Sequence, residues 1–120
     1  MAYPSANPIM RMHWAKRKKI VDSWRFVVAA LFSNVPHAAK PRAVRIIRHG
    51  SRQLDFSNLW LGADKLIFDS LVAAELLVDD TPQFLEPTLE QVKCKRKDEK
   101  TVIEIAERDH GHAAINTPTP

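Results

Sequence analysis

A chain of 120 residues that is 45% hydrophobic and 27% charged holds enough apolar material for one domain around one modest core. No apolar run reaches the roughly 18 residues of a membrane span, no charged start with an apolar middle opens the chain, and the lone Cys94 excludes an internal disulfide or a cysteine-built zinc cluster. The net charge of +4 is unevenly spread: residues 1–54 carry 11 Lys and Arg against one Asp, and residues 55–91 carry one Lys against eight acids.

A basic half beside an acidic one suits an enzyme that attracts a phosphate backbone with the first and concentrates cations with the second. The alternative is a pair of solvated faces of unequal charge. A cytoplasmic protein with no membrane partner is expected.

Residues 1–12, with Pro4, Asn7 and Pro8, read as an irregular surface segment. Helical spacing then sets in over residues 14–32, where Ile20, Trp24, Val27, Val28 and Leu31 form one stripe. Lys16, Arg17, Lys18 and Lys19 crowd the opening of that helix, against its macrodipole, which suggests phosphate contact, with an exposed face that merely tolerates lysines as the equal alternative. Residues 34–41 form a loop. Residues 43–49 alternate as a strand with Val44 and Ile46 inward. A second helix is expected from residue 59 to about 78, with Ile67, Leu71 and Ala74 on its buried stripe and Ser57 or Asn58 as N-cap. Residues 90–97 and 101–106 alternate around a polar turn and read as an antiparallel hairpin. Residues 108–120 read as a disordered tail, in which the His110 and His112 pair has a metal-binding spacing. Residues 13–107 are thus a single domain.

Taken together, Pro4-Ser5-Ala6-Asn7, Arg11-Met12-His13-Trp14, Leu54-Asp55-Phe56-Ser57-Asn58-Leu59, Lys65 with Asp69-Ser70-Leu71, Leu77-Val78-Asp79-Asp80-Thr81-Pro82 and Thr101-Val102-Ile103-Glu104-Ile105 form a pattern. In that order the chain resembles the RusA family of Holliday-junction resolvases, especially its phage and prophage members. The resemblance implies an α/β fold (α+β with a mixed sheet), two helices packed on a small mixed β-sheet, and a homodimer. It also implies a Mg2+- or Mn2+-dependent endonuclease that binds four-way DNA junctions and nicks two opposed strands in recombination and repair. Carried over by position, Asp55 and Asp80 become metal ligands, Lys65 the assisting cation, and Asp79 a neighbour that orients or substitutes. Arg11, Lys16, Arg17, Lys18, Lys19, Arg45, Arg48 and Arg52, with Arg42 beside them, become the DNA-binding set.

Three features depart from the family pattern. Ser57 stands where a second motif aspartate belongs, and a neutral hydroxyl is a much poorer Mg2+ ligand than a carboxylate. Lys65 lies further from Asn58 than the shortest family motifs allow, so the helix must hold a shift or an extra turn. The strand that usually precedes the Pro-Ser-x-Asn segment has almost no chain to form it. Geometry adds a fourth problem: a straight helix over residues 59–77 would be roughly 28 Å long at about 1.5 Å per residue, so Asp55 and Asp80 could not meet across it. Either that helix is short or broken, or Asp80 of one subunit completes the site of its partner. Ser57 motivates a second reading, a weak or inactive junction-binding protein in which Ser57→Asp raises cleavage. A third reading is a small interaction domain with incidental charge.

Overall fold

The computed structural model describes residues 2–4, 14–109 and 112–118, with the last segment described by its backbone alone. Helix α1 spans Trp14–Leu31, close to the bounds that apolar spacing predicts. Its buried stripe is narrower than expected. Trp24 and Val28 are buried and Ile20 and Val21 half-buried, whereas Val27 and Leu31 stand 46% and 45% exposed. Residues four apart stack on one line of a helix, and the line through positions 20, 24 and 28 meets the core with Val21 packed at its side, whereas positions 27 and 31 lie on the line round the other way.

Strand β1, Arg42–Gly50, alternates buried and half-buried positions along its whole length, with Val44 and Ile46 inward as expected. From β1 the chain runs through helix α2 (Phe56–Ala63), a π-helical turn (Asp64–Phe68) and helix α3 (Asp69–Ala73). It returns as β2 (Leu85–Lys93), paired parallel to β1. A parallel return of this kind needs a crossover, and the helical run supplies it. A 3-10 turn at Arg96–Asp98 leads into β3 (Lys100–Asp109), which pairs antiparallel with the other side of β1. Strand β4 (His112–Pro118) pairs antiparallel with β3, completing the order β2-β1-β3-β4.

The expected hairpin is therefore corrected: its two runs belong to one sheet, but β1 lies between them. Ile46 sits opposite Leu89 on one side and Ile103 on the other, so the strand with the most regular apolar face takes the centre. Pro87 in β2 suits an edge position, where one missing N–H costs no ladder bond. The expected disordered tail is corrected as well, because residues 112–118 add a strand to the free edge of β3.

The helical elements cover one face of this mixed sheet, and Trp24, Val28, Leu59, Leu66, Ile67 and Leu71 meet Val44, Ile46, Ile103 and Ile105 in a single core. Of the segment expected at the surface only residues 2–4 are described, and among these Tyr3 departs from the expectation. It is fully buried, its N–H donates to Thr101 Oγ1 (3.1 Å), its hydroxyl donates to the Leu59 carbonyl (2.9 Å), and burial pushes its phenol well above the usual range. Gly62 makes the docking possible, since a Cβ there would lie 2.7 Å from the Pro4 carbonyl oxygen and 2.9 Å from the Tyr3 ring. Among the described residues no helix is long and apolar enough to cross a membrane.

Candidate functional site

Asp55 ends the extended segment before α2 and caps that helix. Its carboxylate accepts from the Asn58 backbone N–H and from the Asn58 side-chain amide, both at 2.9 Å. The cap is thus Asp55, and the expected caps Ser57 and Asn58 lie inside the first turn. The Asn58 donors, with help from the Ser57 backbone N–H, hold the Asp55 carboxyl below its ordinary value. Ser57 itself is exposed.

The carboxylates that converge are others. Asp64, Asp69 and Asp80 each present an oxygen, and these atoms all lie within 4.8 Å of one another. Asp64 and Asp69 are five residues apart, which on an ordinary α-helix would set them about 140° apart around the axis. The π-helical turn removes that separation. The N–H of Asp69 bonds to the carbonyl of Asp64, an i→i+5 bond that widens the turn and brings the two side chains towards one face. Buried Ser70 donates its hydroxyl to the Leu66 carbonyl at 2.6 Å, a side-chain bond within the same turn.

Asp80 arrives because the helical run stops at Ala73, five residues short of the expected end. Glu75 takes a left-handed backbone with φ 59°, and the N–H groups of Leu76 and Leu77 both bond back to the Leu71 carbonyl, at 2.8 and 3.3 Å. The chain folds back there and a turn on the Thr81 carbonyl, which accepts from Phe84 and Leu85 at 2.9 Å, leads into β2. Asp79 uses its carboxylate to accept the Asp80 N–H at 2.8 Å, so it shapes the turn and stands outside the three. The separation between Asp55 and Asp80 therefore has a simple resolution: the helix is broken, and one chain closes the cluster with Asp64 and Asp69 in place of Asp55.

The electrostatics of the cluster are opposite to those of the cap. Burial raises the Asp64 carboxyl above its ordinary range and Asp80 adds to the rise, with Lys65 opposing. Asp69 is raised by burial first, then by Asp64 and Asp80, with Lys65 and Arg25 opposing. Three hard oxygen donors that repel one another match the preference of Mg2+ or Mn2+ for carboxylates, and a divalent cation would remove the repulsion. These residues fit such an ion.

An open cleft of about 690 Å³ runs from the start of α1 to the π turn, and Trp14, Arg17, Lys18, Arg25, Lys65 and Asp69 line it. Here the expected DNA-binding set divides. Arg17 and Lys18 lie on the cleft, Lys18 also pairing with Asp22 at 2.7 Å, and Lys16 and Lys19 are exposed on the same helix. Arg52 is exposed, but its carbonyl holds Arg48. Arg48 is corrected to a structural role: it is buried, donating to the Tyr3 carbonyl at 2.8 Å and the Arg52 carbonyl at 2.9 Å. Buried Arg42 likewise bonds to Glu107, the Leu76 carbonyl and the Pro36 carbonyl. Arg45 faces the side of the sheet away from the helices, bonded to Glu90 and Glu104. The strand period explains the first two corrections, since even-numbered positions of β1 point at the core. Arg11 and His110 lie outside the described residues, as does the side chain of His112.

No family model matches the chain, and no curated protein matches it.

Sequence reasoning left Asp64 out of the candidate set, used Asp69 and Trp14 only as parts of motifs, and passed over Arg25. One signal was present. The extra distance between Asn58 and Lys65 demands an irregular helix, and an irregular turn changes which acids share a face.

Proposed function

We propose that this chain is a metal-dependent endonuclease acting on branched DNA, in the manner of the RusA-type junction resolvases that its sequence resembles. The observation that carries the reading is the convergence of Asp64, Asp69 and Asp80 beside Lys65, at one end of a cleft whose lining sets Arg17, Lys18, Arg25 and Lys65 against Asp22 and Asp69. Asp64, Asp69 and Asp80 would hold Mg2+ or Mn2+, which when bound supplies an activated water and charge neutralisation at phosphorus. Lys65 adds positive charge where the leaving oxygen becomes negative. Arg17, Lys18 and Arg25 bear on the phosphate backbone and set its path into the cleft, a contact that confers affinity without sequence preference.

Asp55 in this reading is a helix cap, and Ser57 belongs to that cap and not to the metal set. The substitution at Ser57 therefore leaves the three-carboxylate site intact, and cleavage is expected. Resolution of a junction requires two such sites, which a cytoplasmic homodimer in a bacterial or phage setting would supply; Phe26, Val27 and Leu31, exposed together on α1, are apolar surface available to it. The deciding experiment is incubation of the full chain with a labelled four-way junction, with and without Mg2+ or Mn2+. Paired nicks that need the metal are expected. Binding without cleavage would select the binding-only reading, and absence of both would overturn the proposal.

A further inference from the structure

A second cationic stretch lies outside the cleft, where β2 gives way to β3. Residues 93–100 set Lys93, Lys95, Arg96, Lys97 and Lys100 against Asp98 and Glu99, and none of these seven lines the cleft. The turn is held in shape by the end of β1. Glu99 accepts from the Ser51 N–H at 2.8 Å and from the Ser51 hydroxyl at 2.7 Å, and the Cys94 N–H donates to the Gly50 carbonyl at 3.1 Å. The Ser51 donors keep the Glu99 carboxyl below its ordinary value, so one of the two acids is committed to closing the turn.

Strand register then spreads the cations. Lys93 stands opposite Gly50 on one side of β1 and Lys100 opposite His49 on the other, about two strand spacings or roughly 10 Å apart, with Arg96 and Lys97 on the 3-10 turn that connects them. Arg52, the neighbour of Ser51, adds to the group. All of these cations are exposed, and among the described residues none is engaged in a close ion pair. A solvated turn needs polar side chains but not side chains of one sign, and like charges gathered together repel. A polyanion offsets that repulsion. A lipid surface is the poorer fit, because interfacial binding joins basic residues to an inserted apolar face, and half-buried Cys94 is the one apolar side chain over residues 93–100. A duplex is the better one. It offers a phosphate about every 1.7 Å along its axis, and lysines meet phosphates as point charges without reading base edges.

We infer that the 93–100 turn, with Arg52, is a second phosphate-backbone contact, separate from the cleft, which grips a duplex arm of the branched DNA while the cleft takes the strand to be cut. The inference rests on reading this chain as a nuclease, and it divides the labour: the turn supplies affinity and the cluster supplies chemistry.

The test is fluorescence anisotropy of the full chain on a fluorescein-labelled four-way junction, in EDTA and over a range of salt concentrations. The double variant Lys95→Gln, Lys97→Gln removes two positive charges from the turn, and Lys40→Glu, at an exposed position before β1, changes the net charge by the same amount. The turn variant is expected to bind about tenfold more weakly and to lower the slope of log affinity against log salt by about two, with an unchanged melting temperature. Lys40→Glu should stay within about twofold of the wild type and keep its slope. Equal losses in the two variants, or a loss in neither, overturn the inference, since the charge of the turn is then incidental. A turn variant that loses binding to phosphatidylserine vesicles but not to the junction overturns it in favour of a lipid surface. With Mn2+ present, the turn variant should raise KM for junction cleavage and leave kcat unchanged; a fall in kcat at unchanged KM also overturns the inference. Turn-dependent binding by a chain that makes no metal-dependent nicks defeats the nuclease reading and leaves this contact standing.

Discussion

Asp55 and the pair Asp64 and Asp69, which begins nine residues further along the chain, are put to opposite uses. Asp55 is surrounded by donors, two from Asn58 and one from Ser57, and its carboxyl is held low. Asp64 and Asp69 face each other and Asp80, and their carboxyls are pushed up. A carboxylate whose charge is already answered by its own chain is structural material. Carboxylates gathered against one another, with Lys65 and Arg25 opposing only part of the rise, cost the chain stability, and under the proposed function a bound cation would offset that cost.

The largest expected effect follows from that cost. Asp64→Asn, Asp69→Asn or Asp80→Asn should each lower junction cleavage by at least about a hundredfold, since losing an outer-shell partner of a metal already costs about ten- to a hundredfold and the proposed site makes these three the ligands. The same substitutions should raise the melting temperature measured in EDTA, because each removes one repelling charge. A drop in both activity and metal-free stability would mean that the cluster is a structural network, and the contrast with Asp55 would fail.

Lys65→Gln comes next, with cleavage reduced about ten- to a hundredfold and the melting temperature little changed. If the lysine mainly offsets repulsion between the aspartates, the variant will instead melt lower in EDTA and recover activity at high Mn2+.

The pH dependence of metal stabilisation sharpens the contrast further. Burial and repulsion raise Asp64 and Asp69 in the folded state, so folding takes up protons there. The stability they contribute is full below the ordinary carboxylate range and is lost as pH rises through the raised values. A cation offsets that loss and competes with protons for the same oxygens. The rise in melting temperature on adding Mn2+ should therefore be greater at about pH 7.5 than at about pH 5; an equal rise at both would place the ion elsewhere. Smallest of all, Asp55→Ala should melt a few degrees lower through loss of the cap while retaining cleavage within a few-fold, and Ser57→Asp should leave the cleavage rate unchanged.

Much of this architecture is legible in the residues. Helix α1 and strand β1 follow from spacing alone, because each presents a repeating apolar face of the right period to one core. A helical run here is equally visible, expected over residues 59–78 and found over 56–73, and so is the need for an irregularity within it. What periodicity cannot reveal is the kind of irregularity. An i→i+5 turn leaves no composition signal, yet it decides that Asp64 and Asp69 share a face and that Asp55 does not join them. Local reading also fails where partners come from far away in sequence. Tyr3 is held by Leu59, Thr101 and Arg48, and β1 separates two strands that a short polar turn joins in sequence. Arg42 and Arg48 looked like surface cations because arginine usually is one; their even positions on a strand buried at every even position were the clue that outweighed residue type.

Calorimetric titration of Mn2+ into the wild type, Asp55→Asn and Asp69→Asn tests the account most directly. The wild type and Asp55→Asn should bind the ion with similar affinity, and Asp69→Asn should lose binding. Retained binding in Asp69→Asn with loss in Asp55→Asn would contradict the assignment of the site.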